Sequence, residues 1–154
     1  TPVGRPMLLR LPESKLTVAN LMRSQLYGAI ATLKIGMDML KKEEQVVSRS
    51  MVGHGGFFKT AGVGQQVLAD ALGVPITTME TAGEGGPWGM ALLAAYMLHK
   101  KQGQSLEDYL DENVFAKAKS TVAQPTQAGM DGFAAYMERY HAALDAEKAL
   151  YKMN

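Results

Sequence analysis

Glycines cluster at two places where a predicted strand is followed by a predicted helix. One cluster lies in "MVGHGGFFKT" and the other in "TAGEGGPWG". A glycine lets a ligand approach the backbone without a Cβ in the way, and the start of a helix offers N–H groups and a partial positive charge that suit phosphate. The chemistry that these positions could perform is therefore phosphate binding. The six glycines are Gly53, Gly55, Gly56, Gly83, Gly85 and Gly86.

The glycines alone leave two interpretations open, a phosphate-binding loop or a pair of tight turns. Neither cluster has the Gly-Lys-Ser/Thr ending of a Walker A loop, and Gly53, Gly55 and Gly56 do not make the dinucleotide pattern G-x-G-x-x-G. Turns that follow consecutive strands of a parallel sheet share one edge of that sheet. The two clusters are thus expected to lie side by side, where one crevice could hold one nucleotide.

Two phenylalanines and a lysine directly follow the first cluster. Phe57 and Phe58 could pack in the core or against another domain, or one ring could lie near a bound base. Lys59 is either a phosphate contact or an ordinary surface lysine. The residue types alone do not decide between these alternatives.

The remaining polar residues predict no metal or hydrolytic site. His54, His99 and His141 are too scattered for a metal site. No G-x-S-x-G motif marks a nucleophilic serine. Glu80 and Glu84 flank the second glycine turn, where solvated or helix-capping carboxylates are expected.

Composition excludes several classes of function. The chain of 154 residues has 16 basic and 15 acidic residues, without the basic block that is typical of nucleic-acid or membrane-surface proteins. It contains no cysteine, which suits a reducing cytoplasm, the location that we expect. Its apolar runs are shorter than the about 20 residues that cross a bilayer.

The elements that must position the glycine turns alternate between strand and helix. A helix is predicted after the N-cap Thr17, with an inward apolar stripe, and a strand over residues 45–52. The segment "GVGQQVLADALG" predicts a helix that stops at Gly73, and "VPITTME" predicts a second short strand. A weak N-terminal strand is expected at "MLLRL". The apolar stripe consists of Val18, Met22, Leu26, Ala29, Leu33, Met37 and Leu40.

The C-terminal half is predicted to be helical. The segment "MALLAAYMLHKK" is apolar on most of its circumference and is expected to be a buried helix. Ser105 begins a capped helix, and a final amphipathic helix carries Met130, Phe133 and Met137 towards Leu150. Strands that alternate with helices predict an α/β fold. Three strands make a thin sheet, so either further strands lie near the N-terminus or the rest of the sheet lies on chain outside this sequence.

Several of these segments together resemble the C-terminal domain of the FGGY carbohydrate kinases. "NLMRSQLYGAIATLKIGMDML" resembles the long helix before the family's nucleotide loop, and "VGHGGFFKTAGVGQQVLADALGVPI" resembles its strand, glycine loop and following helix. "PWGMALLAAYMLHKK" and "PTQAGMDGFAAYMERYHAAL" resemble the last two helices of the domain. The sequence departs from the family where His54 replaces a glycine, where Phe57 and Phe58 form an insertion, and where the second turn is longer.

The resemblance implies an actin-like, ribonuclease H-like ATPase fold, with a small mixed sheet and flanking helices over residues 1–154 as a single domain. It implies ATP and Mg²⁺ as cofactors and a xylulokinase- or ribulokinase-like transfer of the γ-phosphate to a pentulose or a related sugar. The glycine loop of the family lies along the nucleotide. The residues that the resemblance places at ATP are Gly53, His54, Gly55, Gly56, Phe57 and Thr60.

In the family, the catalytic aspartate and the D-x-G-T phosphate loop come before the region matched here, and the 154 residues contain no D-x-G-T. The chain is therefore expected to be the C-terminal part of a two-domain kinase, inactive alone, whose sugar site lies on the N-terminal domain. A surface normally covered by that domain would favour a homodimer. The alternatives are a stand-alone interaction or regulatory domain of the same fold, and an unrelated α/β binding module.

Overall fold

The computed structural model describes residues 7–151. These residues form five α-helices, three short strands and three single-turn 3₁₀ helices. The 3₁₀ turns are Gly56–Phe58, Ala82–Glu84 and Phe115–Lys117. The larger elements are α1 (Val18–Glu43), β1 (Met51–Gly53), α2 (Val63–Leu72), β2 (Ile76–Met79), α3 (Gly85–His99), α4 (Leu106–Asn113), β3 (Ser120–Ala123) and α5 (Gln127–Tyr151).

The three strands of the described residues form one mixed sheet in the order β1-β2-β3. β1 runs parallel to β2, with Gly53 opposite Thr78. β3 runs antiparallel to β2, with Ala123 opposite Ile76. The predicted small mixed sheet with flanking helices is confirmed.

The chain divides into two compact units, which are described separately. The first unit contains the chain up to Val47, the short piece Asp70–Gly73 and the chain from Pro125 onward. Its core is aromatic: the Tyr27 ring of α1 meets the Phe133 ring of α5 edge-on at 5.0 Å between centroids. Burial, and to a lesser degree the neighbouring Tyr140, raises the pKa of the Tyr136 phenol in the same cluster.

Asp70 ties the end of α2 to the start of α5 within this first unit. Its carboxylate accepts hydrogen bonds from the Thr126 N–H at 2.7 Å and from the Thr126 hydroxyl at 3.1 Å. The Thr126 hydroxyl in turn accepts from the Gly129 N–H at 3.1 Å, which is the bond of an N-cap residue. Asp70 therefore has a structural role in fixing where α5 begins.

The second unit consists of residues 48–69 and 74–124, and it contains the sheet and both glycine turns. Leu68, Ala69 and Ile76 are buried at its centre. The buried Gln65 amide donates to the Ile76 carbonyl at 2.7 Å and to the Thr121 carbonyl at 2.8 Å, so it links β2 to β3. This polar side chain is satisfied inside the sheet, as a buried amide must be.

Several predicted boundaries and caps are correct. Thr17 caps α1 by accepting from the Asn20 N–H, and Ser105 caps α4 by accepting from the Asp108 N–H. Gly73 follows α2 with a φ of +68°, the left-handed conformation of a helix stop. The predicted strand at 45–52 is real but shorter and shifted, since only Met51–Gly53 pairs with β2.

Three expectations about the apolar segments are wrong. No strand forms over residues 7–11, where the Arg10 side chain instead bonds the hydroxyl and carbonyl of Ser14. The predicted stripe of α1 is mostly exposed, with Val18 at 77%, because the aromatic cluster buries the face that carries Tyr27 and Ile30 instead. α3 has no buried residue, and Leu98 is 78% exposed, because its apolar side chains surround the whole helix and the described residues do not cover all sides of it.

Candidate functional site

The first glycine turn leaves β1 through a backbone conformation that requires glycine. β1 ends at Gly53, and Gly55 has φ +107° and ψ 178°, a region that is essentially restricted to glycine. The single turn Gly56–Phe58 follows, and Gly62 with φ +74° precedes α2. The sequence Gly-His-Gly-Gly therefore reflects backbone geometry at Gly55 as well as any need for a ligand.

The second glycine turn leads directly into α3. The single turn Ala82–Glu84 follows β2, and α3 begins at Gly85 with Glu84 as its N-cap. The Glu84 side chain makes no capping hydrogen bond. The first N–H groups of this 15-residue helix therefore have no cap from that carboxylate, and the positive end of the helix dipole lies beside the turn.

The two turns lie side by side at the carboxyl ends of the parallel strands, as predicted. The Gly55 N–H donates to the Ala82 carbonyl at 2.6 Å. The Lys59 ammonium meets the Glu84 carboxylate at 3.1 Å. A Cβ built on Gly85 would lie 3.1 Å from the His54 Cβ. The two loops thus form one continuous surface within the second unit.

Five glycines in or next to the two turns are of two kinds, either open or filled, whereas a Cβ added at Gly83 or Gly85 would lie 3.1 Å from the side chain of Lys59 or His54. A Cβ added at Gly55, Gly56 or Gly86 would meet no other atom within 4 Å, so the space beside these backbones is open. A Cβ added at Gly53 would overlap the Phe58 ring, and one at Gly64 would lie 2.8 Å from the Phe57 ring. Only the first kind offers room for a ligand, whereas the second kind makes room for a side chain of the protein.

The six residues predicted to contact ATP are brought together in this one region but differ in accessibility. His54, Gly56 and Thr60 are exposed, and Gly55 is half-buried. Gly53 is buried beneath the Phe58 ring, and Phe57 is half-buried.

A small cavity beside the second turn was not predicted from the sequence. Its volume is about 130 Å³, and Trp88 of α3 forms part of its wall together with Met79 and Thr81. Val114 and Lys119 complete it from a distant part of the chain, so no local pattern indicates it. Trp88 is 37% exposed, and as the single tryptophan of the sequence it provides a fluorescence probe at this turn.

The charges around the turns are paired at the surface. Lys59 pairs with Glu84, and Lys119 lies 3.9 Å from Glu80. All four side chains are largely exposed, so these pairs contribute little to stability. Within residues 7–151, no group of three His, Cys, Asp or Glu side chains could hold a metal ion. In the same residues, no helix combines the length and the apolar character needed to cross a membrane.

Comparison with known proteins assigns this arrangement to a family. The model of the FGGY family of carbohydrate kinases, C-terminal domain, matches residues 4–98, which include both glycine turns. The chain belongs to the FGGY family of carbohydrate kinases. No curated protein sequence matches it. The family predicted from "VGHGGFFKTAGVGQQVLADALGVPI" and its neighbours is therefore confirmed.

Solved structures of FGGY kinases share the fold. The ligand-bound xylulose kinase from Lactobacillus acidophilus superposes with a TM-score of 0.61 at 23% identity, over 90% of this chain and 27% of that one. The gluconate kinase from Lactobacillus acidophilus gives a TM-score of 0.57 at 21% identity, over 86% of this chain and 26% of that one. The predicted actin-like ATPase fold is confirmed. The chain spans about a quarter of the length of each of these kinases.

Proposed function

We propose that this chain is the ATP-binding part of a sugar kinase that transfers the γ-phosphate of ATP to a hydroxyl of a pentulose or a related sugar. Membership of the FGGY family supports a carbohydrate kinase. The observation that carries the ATP site is the junction of the two glycine turns, where the Gly55 N–H bonds the Ala82 carbonyl. That bond joins an open glycine backbone to the 3₁₀ turn that leads into α3.

The residues at this junction fit a nucleotide. A phosphate needs backbone that can be approached closely and N–H groups that face it. The open space beside Gly56 and Gly86 meets the first need, and the start of α3, which the Glu84 side chain does not cap, meets the second. The Gly55 N–H already donates to the Ala82 carbonyl. In this proposal Gly55 therefore contributes through its backbone conformation, which shapes the loop, and not through its N–H.

Mg²⁺ fits this surface only as an ion that arrives with the nucleotide. Mg²⁺ is usually bound by one or two carboxylates together with substrate phosphates. The described residues offer no cluster of three possible ligands, but Glu80 and Glu84 lie on the second turn. Bound ATP would supply the phosphoryl group, and the residues of this chain would hold and orient it.

The six candidate residues take two roles in this proposal. His54, Gly55, Gly56 and Thr60 border the open side of the first turn, where a nucleotide would lie. Gly53 and Phe57 belong to the packed side and shape the loop from beneath.

The sugar site and the catalytic base are proposed to lie on an N-terminal domain outside this chain. Phosphoryl transfer depends on positioning and charge stabilisation around the phosphate, and the two turns provide one side of such a site. The structural neighbours are named as a xylulose kinase and a gluconate kinase. A pentulose is the proposed substrate class because the quoted motifs most resemble xylulokinases and ribulokinases. A cytoplasmic location stays a prediction from the absence of cysteine.

A second candidate function is a stand-alone interaction or regulatory domain of the same fold. Two observations favour it: the α3 face with Met90 and Leu98 is exposed and apolar, and the Gly53 and Gly64 positions are explained by ring packing alone. In this alternative, the glycine turns are structural and bind no nucleotide.

Titration of ATP with Mg²⁺ into the chain separates the two functions. We expect saturable binding by calorimetry, accompanied by a change in Trp88 fluorescence. Gly86→Ala is the matched variant, because alanine suits a helix better than glycine and its Cβ enters open space. Weaker ATP binding by a variant of undiminished stability supports the proposal, whereas no binding by the wild-type chain favours the interaction domain.

A further inference from the structure

Phe57 and Phe58 form a compact aromatic pair at the base of the first glycine turn. Their rings meet edge-on, with centroids 5.5 Å apart and an interplanar angle of 85°. Both side chains are half-buried. Edge-to-face contact is a favourable geometry for two aromatic rings, so the pair forms one unit.

Phe58 contacts the turn both through its ring and through its backbone N–H. The outer ring atoms Cζ, Cε1 and Cε2 occupy the space where any residue other than glycine at position 53 would place its Cβ. The Phe58 N–H also donates to the Gly55 carbonyl at 3.0 Å. The ring of Phe58 thus contacts the end of β1, and its backbone N–H bonds the positive-φ residue Gly55.

Phe57 packs against Gly64 of α2 at the other end of the turn. A Cβ built on Gly64 would lie 2.8 Å from the Phe57 ring and 2.5 Å from its carbonyl oxygen. Gly64 is buried in the first turn of α2. The two rings therefore fill the spaces left by two glycines, one on each side of the open residues Gly55 and Gly56.

We propose that Phe57 and Phe58 are positioning residues that hold the Gly55–Gly56 backbone in its ligand-ready path. Gly55 has φ +107°, which glycine adopts without strain but can also leave easily, because its backbone has many other accessible conformations. Contacts from neighbouring residues are therefore needed to fix its path. The Ala82 carbonyl restrains Gly55 from one side, and the Gly53–Phe58 contact restrains it from the other. The effect on nucleotide affinity rests on the proposed function, whereas the effect on the loop itself does not.

The experiment compares Phe58→Ala and Phe58→Leu with Phe133→Leu. Phe133 is 1% exposed in the core of the first unit, so its replacement lowers stability at a residue outside the unit that contains the turn. Two readouts are taken: hydrogen exchange of the Gly55 amide, and the dissociation constant for ATP with Mg²⁺. If Phe58→Ala does not fold, Phe58→Leu carries the test.

We expect the Phe58 variants to speed exchange at Gly55 by more than their loss of global stability explains. ATP affinity should fall about tenfold, because binding must then also order the loop. Phe133→Leu should change Gly55 exchange only in step with global stability and leave ATP affinity unchanged in the folded protein. A conservative Phe58→Tyr should not rescue the loop, since the para carbon Cζ already abuts Gly53.

Each outcome decides one claim. Unchanged relative exchange at Gly55 in the Phe58 variants would overturn the positioning role, whether or not the chain binds ATP. Faster Gly55 exchange with unchanged ATP affinity would also overturn it. If the wild-type chain binds no ATP, the proposed function fails, while the exchange result still supports or overturns the positioning of the loop.

Discussion

Replacing Gly55 by alanine isolates the cost of one backbone conformation. At φ +107° and ψ 178°, a residue with a Cβ is strained, but the added atom meets nothing within 4 Å, so no collision contributes. Strain of this kind costs about 1–3 kcal/mol. With about 2–4 °C for each kcal/mol in a domain of this size, the melting temperature should fall by about 2–12 °C.

The matched control is Gly56→Ala, measured by differential scanning calorimetry in the same buffer. Its Cβ also enters open space, but Gly56 lies in a 3₁₀ turn without positive φ. The control should leave stability nearly unchanged or raise it by up to about 1 kcal/mol. Equal losses in the two variants, or a neutral Gly55→Ala, would refute the argument from backbone strain.

Four further predictions follow from other parts of the chain. Gln65→Leu should lower the free energy of unfolding by about 1–3 kcal/mol in urea denaturation, because the buried Ile76 carbonyl and the partly buried Thr121 carbonyl lose their donor. A neutral result would contradict that role. Lys59→Met should change the free energy of unfolding by less than about 1 kcal/mol, since its ion pair with Glu84 is exposed. If Lys59→Met weakens ATP binding while Glu84→Gln does not, Lys59 contacts phosphate. Equal effects of both variants would argue against that contact. The chain alone should transfer no phosphate to a pentulose or glycerol in a coupled assay, and a normal rate without another domain would disprove the proposed division of the site. Sedimentation should show self-association through exposed apolar surface such as that of α3, and a monomer at high concentration would count against it.

Helix caps and stops were predicted correctly because each depends only on residues that are neighbours in the sequence. The caps at Thr17 and Ser105 and the stop at Gly73 each depend on a few adjacent side chains or on one backbone angle. The adjacency of the two glycine turns also followed from strand order, because parallel neighbours place their carboxyl ends together.

Features that depend on distant partners were missed. β3 (Ser120–Ala123) is short and mostly exposed, and it becomes a strand only because β2 and the Gln65 amide bind its backbone. The buried face of α1 was misassigned because Tyr27 packs on Phe133 of α5, more than a hundred positions away in the sequence.

The candidate site was likewise predicted only where it depends on local sequence. The glycine clusters were visible in the sequence, but their separation into open and filled positions was not. That separation depends on where the Phe57 and Phe58 rings lie, and two adjacent phenylalanines carry no local sign that each will fill the place of a missing Cβ. The cavity beside Trp88 also needed Val114 and Lys119, which no spacing connects to the second turn.

The most direct test of the account is a calorimetric titration of ATP with Mg²⁺ into the wild-type chain and into Gly56→Val. Gly56 has open space beside its Cα and no positive φ, so valine there should leave the fold intact and obstruct only a ligand that lies along the backbone. The account predicts saturable binding by the wild type and a large loss of affinity in the folded variant. Equal binding by both proteins, or no binding by the wild type, would contradict it.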